Sequence, residues 1–300
     1  MDRHGAGAVV IRRALALLAT AGLALPAFAH PLPLGDGHVS DTPRRGYVMT
    51  CQGFMTGAPG AHRTGEWIAN GMWDPAGKPV VEGEVDWPNA AISVTREGDS
   101  RIVRANNLPL HPSGEFPIRP GSRAFDYDRN PNRIGEQRIL LTLPAAPWPA
   151  VRPSCVPMGM VGFALSGVAI FNAFDAGGRD APAYEIQDRC NGHPERSSQY
   201  HYHNWSPCLT ATSANAPVGW MLDGYPILGP RDETGREITN AELDECHGRT
   251  GPVLIDGRTV TSYHYRFTLE FPYTLGCFHG APIALPRRGP PPGMGPPPPR

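Results

Sequence analysis

The densest chemistry of this chain lies between Cys190 and Cys208, where His193 precedes the run Tyr200-His201-Tyr202-His203. Imidazole nitrogens and carboxylates are first-choice ligands for copper and zinc. If 200–203 is a strand, Tyr200 and Tyr202 share one face and His201 and His203 the other. The two histidines then stand roughly 6.6–6.8 Å apart along the strand. Both can lean onto one ion about 2.0–2.1 Å from each nitrogen. His193, just before a polar turn, can return on the neighbouring strand as a third ligand. His193, His201 and His203 are therefore the core candidates for a copper or zinc site. His264, in Tyr263-His264-Tyr265, and His247, after Cys246, are additional candidates. Asp188, Glu195 and Asp223 are candidate carboxylate bases, and Tyr200, Tyr202 and Trp205 would wall the site. The competing arrangement buries the tyrosines and spends the histidines on backbone carbonyls. Histidine nitrogens converging within about 4 Å favour a metal; rings pointing apart on an exposed aromatic surface favour a binding module.

Other chemistry is thinner. If His30 were a mature N-terminus, its amine and imidazole would suit Cu(II). Met158, Met160 and Met221 suit Cu(I), or simply fill core gaps. The acidic stretch Asp126–Asn130 lacks the EF-hand pattern, and there is no Gly-x-Ser-x-Gly, phosphate loop or dinucleotide fingerprint.

The elements that must position these groups are short strands. Thirty-five glycines and thirty-five prolines disfavour long helices. Strand-like runs include Val80–Trp87, Ala91–Thr95, Arg101–Ala105 and Gln137–Leu143. Short helices are expected at Ala181–Arg189 and after Thr239 or Asn240. Gly162–Ile170 and Gly219–Ile227 read as two similar hairpins turning at Ser166-Gly167 and Asp223-Gly224. The expected fold is mainly β: one domain over 44–285, a sandwich or two packed β-lobes, with short helices and disulfides. Residues 30–43 read as a flexible arm, and the Pro-rich stretch 286–300 as a disordered tail. Residues 1–29 read as a cleaved signal peptide: Arg12-Arg13, an apolar stretch, then Ala27-Phe28-Ala29. Its net charge of +2 comes from Asp2, Arg3, Arg12 and Arg13, so removal takes the chain from −1 to −3. Nucleic acid is an unsuitable partner for such a chain, and no mature segment is long and apolar enough to span a membrane. All six cysteines follow the cleavage site, which points to disulfides in the periplasm or outside the cell. Proximity suggests Cys190–Cys208 and Cys246–Cys277, with Cys51–Cys155 remaining.

The run Cys190-Asn-Gly-His-Pro…Tyr200-His-Tyr-His…Cys208-Leu closely resembles the YHYH-domain proteins. The likeness includes Gly162–Val168, Leu222–Ile227, Leu243–Gly248 and Tyr263…Cys277, and spans roughly Met49 to Gly280. Ser166 stands where the family's hairpin is expected to carry Asn. The resemblance implies a secreted or envelope protein and supplies no reaction. The leading expectation is an exported copper- or zinc-binding protein. As an enzyme it would use either a zinc-activated water, insensitive to reductant, or reductant-dependent copper chemistry. The alternative is a non-enzymatic envelope module whose Tyr/Trp/His surface binds a small molecule, a glycan or a protein.

Overall fold

The computed structural model describes residues 30–54 and 61–285. The expected signal peptide and Pro-rich tail lie outside the described residues. Strands dominate, and no helix among the described residues is long and apolar enough to cross a membrane.

The centre is an eight-stranded sheet. Its first half contains β1 (Met160–Ala164), β2 (Ala169–Phe171), β3 (Gly192–Pro194) and β4 (Tyr200–Tyr202). Its second half contains β5 (Pro217–Met221), β6 (Pro226–Leu228), β7 (Gly248–Ile255) and β8 (Arg258–Arg266). The spatial order is β3-β4-β2-β1-β5-β6-β8-β7. β1 and β4 are buried along their whole length, so both their faces are covered. That is why β1 reads as a continuous run of small and apolar residues rather than an alternation.

The order is symmetric about the central antiparallel pair. In each half a hairpin (β1·β2, β5·β6) is followed by a parallel pairing (β2·β4, β6·β8) and an outer antiparallel one (β3·β4, β7·β8). The central register has the same symmetry. Phe163 faces Trp220, while Gly162↔Met221 and Ala164↔Gly219 exchange places about that pair. The two hairpins expected from sequence are thus the inner parts of two equivalent halves. Gly167 and Gly224 adopt φ of +86° and +87° at the two turns, a conformation that favours glycine. In β3 and β7, a Cβ on Gly192 or Gly248 would enter the ring of Tyr200 or Tyr263.

Smaller sheets cover this frame. Ile92–Glu97, Ser100–Ala105 and Ile139–Pro144 form an antiparallel meander. Its last strand alternates buried Ile139, Leu141 and Leu143 with exposed Leu140 and Thr142. Residues 30–43, expected as a loose arm, are packed. Leu32 is buried opposite Trp73, and Val39-Ser40 pairs with Val48-Met49. Backbone pairing and one buried leucine outweigh the local proline content there. The disulfides are Cys51–Cys155, Cys190–Cys208 and Cys246–Cys277, the pairs suggested by proximity.

Candidate metal centre

His193, His201 and His203 meet. One nitrogen from each lies within 4.8 Å of the others, and all three residues are buried. Strand pairing explains how. His193 in β3 is directly opposite His201 in β4, so their side chains leave the same face. His203, two residues further on, keeps that face. Phe171 of β2 stacks on His201 at 3.8 Å and closes one side.

A fourth donor arrives from a short helix, α1 (Ala181–Tyr184). The helix stops at Glu185, whose backbone turns extended (φ −78°, ψ 142°), short of the Arg189 expected from sequence. There Glu185 Oε2 lies 3.4 Å from His193 Nε2 and 3.3 Å from His203 Nε2. Glu185 was not among the sequence candidates. Its only sequence signal is the place where a one-turn helix stops.

The hydrogen bonds fix the tautomers of two rings. His201 Nδ1 donates to the Gln199 carbonyl at 3.0 Å, and His203 Nδ1 donates to the Asn172 carbonyl. Carbonyl oxygens only accept, so both Nδ1 atoms carry hydrogen. The remaining Nε2 atoms face each other at 3.0 Å. In neutral rings these are two lone pairs in contact, a repulsive arrangement unless a proton or a cation lies between them. The arrangement expected if the histidines were spent on carbonyls is therefore present at the Nδ1 atoms of His201 and His203. Neither nitrogen of His193 nor Glu185 Oε2 has a hydrogen-bond partner among the described residues. Burial, then the charges of His201, His203 and Lys78, push the His193 pKa well below the ordinary histidine range. That favours the neutral imidazole, the form that could ligate a metal.

The surroundings are also charged. Lys78, the one lysine of the sequence, donates to the Pro182 carbonyl and to Gln187. Burial pulls its ammonium down to about 7 against the opposing pull of Glu185, Asp180 and Asp128. Burial, then the Glu185 charge, raises Asp128 to about 6.

The other sequence candidates are placed elsewhere. Asp188 accepts bonds from Tyr200 Oη and the Gly114, Cys190 and Gly192 amides. Asp223 accepts from Tyr265 Oη and from Gly280. Glu195 accepts from the Ser197 and Gln199 amides of its own turn. Tyr200 and Tyr202 are fully buried, and Tyr202 Oη meets Ser166 Oγ at 3.1 Å. Trp205 packs on Phe267. His247 contacts Thr268 Oγ1, and His264 donates to the Ser262 carbonyl; both belong to the second half of the sheet. His111 approaches Cys190 and Cys208, but metal binding needs thiolates and these sulfurs are committed to a disulfide.

A mainly β, disulfide-bonded frame with a histidine cluster on the Tyr-His-Tyr-His strand defines the class. Residues 141–237 match the family model described as YHYH protein, so the chain carries a YHYH domain. No curated protein and no solved structure matches the chain.

Proposed function

We propose that this is an exported metal-binding protein, holding one copper or zinc ion with His193, His201 and His203 and with Glu185 as the fourth donor. The observation that carries this reading is the pair of Nε2 lone pairs 3.0 Å apart, with both opposite nitrogens committed to carbonyls. A cation relieves that repulsion, and the adjacent carboxylate offsets its charge. Ring N–H groups donating to carbonyls orient metal-binding imidazoles and raise their basicity. Three imidazoles and a carboxylate suit zinc and copper better than the oxygen-seeking calcium or magnesium.

Four convergent donors in a buried setting favour a closed site, one that holds an ion rather than presenting an open position to substrate. Export is supported by three disulfides with no free cysteine among the described residues. The rival reading, an aromatic binding surface, loses support because Tyr200 and Tyr202 are fully buried.

The test is metal content. The chain is exported to a bacterial periplasm, purified without a histidine tag and its bound metals quantified. About one equivalent of copper or zinc is expected in the wild type, lost in His201→Ala/His203→Ala and weakened in Glu185→Gln. A folded, metal-free wild type that also fails to take up added copper or zinc overturns the reading.

A further inference from the structure

Lys78 is set apart from the other cations of the chain. The sequence has 27 lysine and arginine residues, and the rest are arginines, whose guanidinium stays charged and is no nucleophile. The Lys78 segment is fixed against the one that follows α1. Val81 N donates to the Gln187 carbonyl at 2.9 Å, and Val81 bridges Asp188. The Lys78 stem lines a cavity of about 450 Å³, beside Val81 and Ala124. Its Nζ turns inward, to the Pro182 carbonyl and to Oε1 of Gln187, and makes no ion pair among the described residues. Gln187 is buried, and its amide is held at the other end by Nε2, which donates to the Ala181 carbonyl at 3.3 Å. A primary amine thus rests against a fixed carboxamide.

We propose that Lys78 and Gln187 are a modification site, joined by an isopeptide bond that forms within the folded chain with loss of ammonia. The neutral Nζ attacks Cδ of Gln187 and the Nζ–Cδ bond forms. The Cδ–Nε2 bond breaks, one proton moves from Nζ to the departing nitrogen, and that nitrogen leaves as ammonia. No oxidant or reductant enters the step. Cδ is one C=O bond, about 1.2 Å, beyond the oxygen that Nζ touches. The nucleophile therefore starts within the roughly 3–3.5 Å of a near-attack arrangement. Desolvation makes the amine available: burial pulls the ammonium down to about 7, against the charges of Glu185, Asp180 and Asp128. Asp128 accepts the Ile186 amide at 3.0 Å, one residue from Gln187. Burial, then the Glu185 charge, raises it to about 6, where a carboxyl exchanges protons near neutral pH as a relay must. The cavity along the lysine stem is the exit for ammonia. The N–H that remains on Nζ keeps the Pro182 carbonyl as its acceptor. Such a bond restricts the unfolded chain as a disulfide does, but resists reduction. It stands independently of the metal site.

The test is the intact mass of the purified mature chain with its disulfides reduced, followed by tandem mass spectrometry of its peptides. The wild type is expected to be lighter than its sequence by one ammonia, with a branched peptide joining Lys78 to Gln187. Lys78→Arg, which keeps the positive charge, and Gln187→Met, which keeps the side-chain length, are each expected at full sequence mass. A folded wild type of full sequence mass overturns the proposal. So does an ammonia loss that survives Lys78→Arg or maps to a succinimide at an asparagine. The wild type carries the decisive reading, so a variant that fails to fold leaves the result standing. Metal content is read on the same samples, so failure of the cross-link and failure of the metal site are separate outcomes.

Discussion

The two halves of the sheet differ on one face and agree on the other. On the tyrosine face, Tyr200 bonds Asp188 and Tyr263 bonds Asp244, while Tyr202 meets Ser166 and Tyr265 meets Asp223. Asn191 and His247 both take positive φ just before the glycines that admit those rings. On the opposite face, the His-x-His of β4 is matched by His264-x-Arg266 in β8, and His193 by Arg249. A two-fold axis through an antiparallel pair is perpendicular to the sheet, so His264 and Arg266 lie on the same side as the histidine cluster. β4 and β8 are five strand spacings apart in the sheet order, roughly 24 Å at ~4.8 Å per spacing.

Removal of the metal should produce the largest asymmetry. A ligand present at 1,000 times its Kd stabilises the folded state by about 4 kcal/mol. For a domain of this size that is a drop in Tm of roughly 8–16 °C on chelation. Amide exchange measured alongside should show protection lost around 192–204 while 248–266 is retained. Equal loss in both halves, or no change in either, would break the assignment of the cation to the first half.

The tyrosine faces should respond alike. In Gly192→Ala and in Gly248→Ala the new Cβ overlaps the adjacent tyrosine ring. Overpacking of this kind costs about 1–3 kcal/mol, so urea unfolding should give losses of similar size in the two variants. A large cost in one half and none in the other would show that the shared face is not shared energetically.

Much of the first site was legible because a strand has a period of two. His-x-His spacing placed two rings on one face, and a third histidine before a turn placed His193 opposite them. Glu185 was illegible because a helix of one turn carries no periodicity, and the carboxylate's aim depends on where that turn ends. The inner hairpins were legible from their glycine-centred turns, but the full two-fold relation was masked by unequal connections. Gly162 to Gly219 is a step of 57 positions, whereas Tyr200 to Tyr263 is a step of 63. The extra residues lie in the long β7–β8 hairpin, where the first half has only the short turn between β3 and β4. Arg266 in the position of His203 masked the relation further, because the His-x-His pattern does not recur in β8. Residues 30–43 misled through composition: Pro and Gly suggested looseness, while the burial of Leu32 depends on Trp73, distant in sequence.

The smallest effect belongs to a carboxylate near the surface of the second half. Glu242 is tied to Arg236, which also reaches Asp232 at 3.0 Å. The side-chain hydrogen bonds from Arg236, then the Thr239 amide, hold Glu242 down to about 2, against an ordinary value of 4.5. A carboxylate whose pKa is depressed on folding contributes stability above its unfolded pKa and loses that contribution as pH falls through its folded one. The pair's contribution is therefore present at neutral pH, and declines between about 4.5 and about 2. Because the partners are near the surface, solvent and salt screen the interaction, and its size falls in the low range of exposed ion pairs. Arg236→Ala should therefore lower stability slightly at pH 7 in low salt, less so in high salt, and least near pH 2. Chemical denaturation across that range measures it. A cost independent of pH would mean that Arg236 acts through packing.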